Sequence, residues 1–272
     1  MSRVVRIRLA PRLPSTHEIL VHRWLYDHPG ILHRDLSLNN IMCRIIKELN
    51  GKGKRERKVY GVLTDYDLSS WTKDLKNDYT KTSQQRTGTP PYMAHELLKG
   101  TSTTHLYRHD LESLFYIMLL VCGRHTLGYV QGKDTDGPLQ MVMREGLPPY
   151  QDWFEEQSYT TLGEHKSTFF ADSKPILLPS HFKDFYEWLY SLQLQFSDGF
   201  AAATIHSNAL GRRRRKSPHG IPPFDNETLG GNISYSSFIE PVLELEGELE
   251  GLVIRYHPKT IPPPTPDQDD SP

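Results

Sequence analysis

His33-Arg34-Asp35-Leu36-Ser37-Leu38-Asn39-Asn40 is the stretch on which the reading of this chain turns. It sets the carboxylate of Asp35 beside an arginine, with the carboxamide of Asn40 five residues further on. Upstream, residues 17–27 (HEILVHRWLYD) carry Ile19, Leu20, Trp24 and Leu25 at roughly helical spacing, which predicts a helix. Pro29-Gly30 ends it, and the apolar pair Ile31-Leu32 leads into the motif. Downstream, IMCRII reads as a strand. Residues 50–57, NGKGKRER, combine Asn-Gly turn chemistry with charged flanks and predict a hairpin. KVYGVLT is the returning strand, which ends at Asp65. The plainer alternative for the octet is a polar turn between a helix and a strand.

Three more stretches lie further out. Val62-Leu63-Thr64-Asp65-Tyr66-Asp67 is a β-rich run that ends in a carboxylate followed by an aromatic. Residues 69–91 are polar and read as a long loop, a kind of segment that is usually functional or disordered. That loop runs into Gly88-Thr89-Pro90-Pro91-Tyr92-Met93-Ala94-His95-Glu96. Residues 109–122, HDLESLFYIMLLVC, are apolar on nearly all sides and predict a helix buried within the domain. Asp110 near its start suits a helix cap. Residues 181–196 place Phe182, Phe185, Tyr186, Leu189, Leu192 and Phe196 on one face, an amphipathic helix with Trp188 at its edge.

The octet is H-R-D-L-x-x-x-N without a mismatch and resembles the catalytic loop of protein kinases. Asp65-Tyr66-Asp67 resembles the D-F-G element, with Asp67 in place of glycine. The run from Gly88 to Glu96 resembles the stretch that ends in A-P-E, with His95 in place of proline. Asp110 and the apolar helix after it resemble the central helix of the kinase large lobe. The four motifs stand in order over residues 17 to about 125. LSLNNIM, LTDYDL and GTPPYMAHELL are most similar to the fungal-type protein kinases.

The resemblance implies a mainly α fold with a small β-hairpin, that of a protein-kinase-like large, C-terminal lobe. It implies transfer of the γ-phosphate of ATP to a Ser/Thr hydroxyl of a protein. Asp35 would take the proton of the attacking hydroxyl, and Asn40 and Asp65 would hold Mg²⁺ on the phosphates. Arg34 would couple the loop to phosphoacceptors such as Thr82, Ser83 and Thr87. Thr89 would lie near Asp35 and shape the peptide site. Asp110 would brace the backbone of the loop at His33. Glu96 would form a structural ion pair, with Arg124 and Arg144 as candidate partners. Ser37 stands where many Ser/Thr kinases carry a lysine, and a hydroxyl cannot supply that charge.

A kinase small lobe, about five strands and a helix, needs roughly 70 residues. Only 32 residues precede His33, and they contain no G-x-G-x-x-G, no V-A-I-K and no lysine. The expectation is therefore a large lobe with the small lobe absent, in a truncated or degenerate form whose hold on ATP is weak. Two alternatives follow. One is a catalytically inactive pseudokinase fragment that acts as a protein-binding module. The other is a small-molecule kinase of the choline or aminoglycoside kind, which also uses D-x-x-x-x-N; GTPPYMAHE argues against it.

The whole composition narrows the field. The 272 residues carry 32 Lys+Arg and 33 Asp+Glu, a formal net charge of −1, which argues against a nucleic-acid binder held by global charge. The longest apolar run, Leu114 to Cys122, is too short to span a membrane. Cys43 and Cys122 form no CxxC, so neither a disulfide scaffold nor a zinc module is expected, and a reducing cytoplasmic or nuclear compartment is the default. The pattern H-E-x-x-x-H from His17 to His22 has its histidines on different helix faces, which reads as solvated surface rather than a zinc site. Residues 1–16 read as an N-terminal tail and 17–198 as the kinase-like body. Residues 199–232 read as a basic, polar linker, 233–257 as a further helix or strand, and 258–272 as a disordered Pro-rich, acidic tail. Arg212 to Lys216 in the linker suits an acidic partner or an import receptor.

Overall fold

The computed structural model describes residues 3–6, 16–49, 53, 55–73, 88–102, 104–128, 140–143, 150–172, 174–213 and 222–246. Helices dominate it, and they pack around one helix that is buried along its length. Strand β1 (Arg3–Arg6) pairs antiparallel with β3 (Ile41–Leu49), which pairs antiparallel with β4 (Arg55–Leu63). Helix α1 (Thr16–Asp27) precedes the two-residue strand β2 (Ile31–Leu32). β2 pairs with β5 (Ser70–Trp71), with Ile31 opposite Trp71.

Both ends of this region depart from the sequence reading. Arg3–Arg6, expected within a tail, adds a third strand to the hairpin. Arg55, Glu56 and Arg57, read as turn, belong to the ladder, with Leu49 opposite Arg55. Ladder hydrogen bonds are made by the backbone, so charged side chains do not exclude pairing. Ser70 and Trp71, read as loop, form too short a bridge to show any alternation in sequence.

A 3₁₀ turn (Pro90–Tyr92) and helix α2 (His95–Lys99) lead to α3 (Tyr107–Arg124). Every residue from Tyr107 to Gly123 is buried, as the all-round apolar run required. A hairpin of β6 (His125–Gly128) and β7 (Gln140–Met143) follows. Then come α4 (Asp152–Glu155) and α5 (Tyr159–Ala171), which is capped by Ser158 accepting from the Thr161 N–H. A 3₁₀ segment (Ser180–Phe185) runs into α6 (Tyr186–Arg213). The predicted apolar face of residues 181–196 is there: Phe182, Leu189, Leu192 and Phe196 are buried, and so is Trp188. The helix does not stop near residue 198 but continues to Arg213 through the stretch read as linker. Its alanines and polar residues are compatible with helix although they carry no strong periodicity. The phosphoacceptor positions 82, 83 and 87, Arg144, residues 214–217 and the tail beyond 246 lie outside the described residues.

Phe115 of α3 packs against Phe169, Phe170 and Phe196, with ring centroids 5.8–6.3 Å apart. This aromatic layer joins α3, α5 and α6. Helix α7 (Tyr235–Glu246) closes the other side: Phe238 is buried, and its carbonyl accepts from the Trp188 indole N–H. Among the described residues no helix is long and apolar enough to cross a membrane.

Candidate active site

The loop from His33 to Asn40 is held from behind by Asp110. Its Oδ2 accepts from the His33 N–H at 3.0 Å, and its Oδ1 from the Arg34 N–H at 3.2 Å. These bonds fix Arg34 in the left-handed region at φ 70°, a conformation a non-glycine residue adopts only when its surroundings impose it. Asp110 lies inside α3, which begins at Tyr107, and its carboxylate accepts from these loop amides rather than from that helix's own, so the helix-cap reading gives way to that of a brace for the loop. His105 and His22 complete its partners at 2.8 and 2.7 Å. Burial alone would raise the Asp110 carboxyl; His105 and then His22 hold it well below the usual carboxylate range. His22 is wholly buried, so the reading of this helix face as solvated surface is wrong at that residue. Its partner lies on another helix, and the local spacing carries no sign of it.

The carboxylate of Asp35 faces forward. Its Oδ1 accepts from both the N–H and the hydroxyl of Thr89, at 2.9 and 3.0 Å. Its Oδ2 accepts from the Asn40 amide at 3.3 Å, and that amide also donates to the Asp35 carbonyl at 2.9 Å. Asp35, Asn40 and Thr89 thus meet in one place although Thr89 is 54 residues from Asp35. Gly88 makes the approach feasible. It has φ 127°, and a Cβ there would come within 2.9 Å of Met93 Cγ and 3.4 Å of the Arg34 carbonyl oxygen.

Asn40 also ties the loop to the strand end. Its carbonyl accepts from the N–H and hydroxyl of Thr64, the residue before Asp65. His33 makes a second tie, with Nε2 donating to the Thr64 carbonyl at 3.0 Å and the ring 4.9 Å from that of Tyr66. Burial lowers the pKa of His33, so it serves as a neutral bridge. The left-handed residue at this strand end is Asp65, at φ 64°. The substitution of Asp67 for glycine therefore falls at a residue for which no positive φ is needed. Asp65 is exposed, and its carboxylate has no hydrogen-bond partner among the described residues. The Arg34 guanidinium donates to Ser70 Oγ at 2.5 Å.

Glu96 pairs with Arg108 at 2.5 Å, which corrects the candidates named from sequence. Arg124 instead lies 3.8 Å over the Phe154 ring and donates to Gln151. Arg108 stands on the first turn of α3, so the pair joins α2 directly to the buried helix. Burial would raise the Glu96 carboxyl, but the His109 hydrogen bond and the Arg108 charge bring it down to about 2.

Glu112 and Lys166 also had no signal in the sequence. Glu112 accepts through Oε1 from the His95 N–H, the His95 ring and the Tyr116 hydroxyl, at 2.8, 3.0 and 2.6 Å. The proline that His95 replaces could not donate that N–H. Lys166, fully buried on α5, donates to the carbonyls of Pro90, Pro91 and Met93. Its ammonium also lies 4.0 Å from the centre of the Tyr116 ring. Lys166 and Glu112 together hold the chain between Pro90 and His95.

Asn40 and Asp65 present oxygen donors of the hard kind that suits Mg²⁺. That ion is commonly held by one or two protein groups plus waters and substrate phosphates. Among the described residues no group of three or more His, Cys, Asp or Glu side chains is placed to hold a metal ion by itself. No curated protein and no solved structure matches the chain. The family model described as fungal protein kinase matches residues 16–122, the stretch from α1 into the buried helix α3.

Proposed function

We propose that this chain supplies the large lobe of a protein kinase and that it transfers the γ-phosphoryl group of ATP to a Ser/Thr hydroxyl. One observation carries the reading. The Asp35 carboxylate is held between Asn40 and Thr89, with one face of the loop braced and the other turned to the Gly88–Glu96 stretch. Asp35 orients the incoming hydroxyl and takes its proton. Asn40 keeps the Asp35 carboxylate in place through its amide N–H and leaves its own Oδ1 for the metal; Asp65 adds a second oxygen. ATP would supply the phosphoryl group and Mg²⁺ the neutralisation of its developing charge. Thr89 orients the base, and the segment after it, clamped by Lys166, forms the floor on which a peptide would lie.

A second reading, an inactive module that binds a protein partner, is favoured by Ser37. It is 1% exposed and carries no charge to offer a phosphate. The test is phosphate transfer to a mixed peptide library with Mg-ATP, and Asp35→Asn should lower the rate about 10²–10⁴-fold. Transfer to choline or an aminoglycoside but to no peptide would establish the small-molecule reading instead. No transfer by the unaltered chain and no thermal shift with Mg-ATP would leave the binding module.

A further inference from the structure

Asp110 braces the loop, and a second layer fixes Asp110. His22 Nε2 lies 2.7 Å from Asp110 Oδ2, the same oxygen that accepts from the His33 N–H. To donate there, a neutral imidazole must carry its proton on Nε2 and leave Nδ1 as an acceptor. The Tyr235 hydroxyl lies 2.6 Å from that Nδ1, 213 residues away in sequence. Burial first and the Asp110 charge second keep this phenol well above its usual pKa, so its proton remains available. The tyrosine is itself fixed. Its ring stacks on Tyr107 at 5.1 Å, and Arg23 lies 5.9 Å over it. The opposite tautomer of His22 would turn a lone pair toward the carboxylate and a second donor toward the phenol.

We propose that Tyr235 is a positioning residue for the catalytic loop: its hydroxyl selects the Nε2–H form of His22, which holds Asp110 in register with the His33 and Arg34 amides. The segment that carries Tyr235 lies outside the matched residues 16–122. Three more bonds dock it onto α1 and α3. The Tyr107 hydroxyl donates to the Ile233 carbonyl, Arg108 Nε to the Asn226 carbonyl and the Tyr26 hydroxyl to Glu227. The kinetic part of the proposal rests on the phosphoryl-transfer reading; the structural part does not.

The experiment uses the full chain and the variant Tyr235→Phe, which keeps the ring. Imidazole ¹⁵N spectra should show one His22 tautomer in the unaltered chain and a mixture in the variant. Hydrogen exchange at the His33 and Arg34 amides should quicken in the variant. Its kcat for peptide phosphorylation should fall about tenfold, the scale of a small misplacement of a reacting group, with KM for peptide and Mg-ATP unchanged. Tyr26→Phe, which loses only the bond to Glu227, should leave kcat and the His22 signals as they were. In a His22→Gln background, where the amide donates to Asp110 without help, Tyr235→Phe should lower kcat no further; a full second loss overturns the proposal. An unchanged His22 tautomer or an unchanged kcat in Tyr235→Phe also overturns it. If the unaltered chain transfers no phosphate, the kinase reading fails, and the tautomer and amide exchange decide the inference alone.

Discussion

Asp110 and Glu112 stand two positions apart on one buried helix, and each holds a loop by its backbone. Asp110 takes the catalytic-type loop at His33 and Arg34, and Glu112 takes the start of α2 at His95. Their surroundings differ. Both oxygens of Asp110 are engaged, by two amides and two histidines. Glu112 concentrates three donors on Oε1, while its buried Oε2 has no hydrogen-bond partner among the described residues. A fully satisfied buried carboxylate is a rigid brace, whereas a half-satisfied one keeps part of its desolvation penalty. The loop that places the proposed base therefore rests on the stronger of the two anchors.

The comparison breaks most visibly at Asp110. Asp110→Ala should destabilise the fold by about 3–5 kcal/mol, since it strands two amides and two buried imidazoles. Urea titration should report it as a lower midpoint, and a loss below 1 kcal/mol would show that the histidines and amides find other partners. His95→Pro tests the other anchor. It restores the residue expected from the A-P-E pattern and removes two of the three donors to Glu112, leaving the Tyr116 hydroxyl, and proline is tolerated at a first helical position. The expected loss is about 1–3 kcal/mol. A neutral or stabilising result would mean that the His95–Glu112 bonds are incidental.

The smallest effect is acid sensitivity at the Glu96–Arg108–His109 cluster, which links the two anchored regions. Burial lowers the His109 pKa from 6.5 to about 4, and its neutral ring accepts from the Leu106 N–H while donating to Glu96. The unfolded chain binds that proton first, so this contribution is lost as pH falls from 6.5 toward about 4. Glu96 is depressed from 4.5 to about 2, so its contribution is full above 4.5 and is lost as pH falls from there toward about 2. Urea midpoints at pH 7, 5 and 3 should fall in both intervals. Arg108→Met should narrow the lower one, and the upper one less, because burial is the main cause of the His109 shift. A flat profile between pH 7 and 5 would contradict the neutral, buried state of His109.

What was legible in the sequence follows from the range over which each signal acts. The helix at residues 17–27, the pairing of β3 with β4 and the buried helix at 109–122 rest on spacing and turn chemistry within about twenty residues. The octet from His33 to Asn40 also folds on itself, through the Asn40 amide and the Asp35 carbonyl. Helix α6 was cut short because its second half has the composition of a linker. At Gly199 that half packs closely on Leu229, whose Cβ lies 2.7 Å from where a Cβ on the glycine would stand, and no local pattern announces this contact. Lys166 gave no warning because a lysine in an amphipathic stretch is ordinarily solvent-facing.

By itself the chain of residues determined the order of the motifs and the identity of the groups that could do chemistry, since type and spacing are local properties. Only the tertiary structure decided their partners: Arg108 for Glu96, Glu112 for His95, and His22 with Tyr235 behind Asp110. Those pairs join residues up to 213 positions apart. A buried polar group takes whichever complement the packing brings within reach, because leaving it unpaired costs more than any local preference can supply.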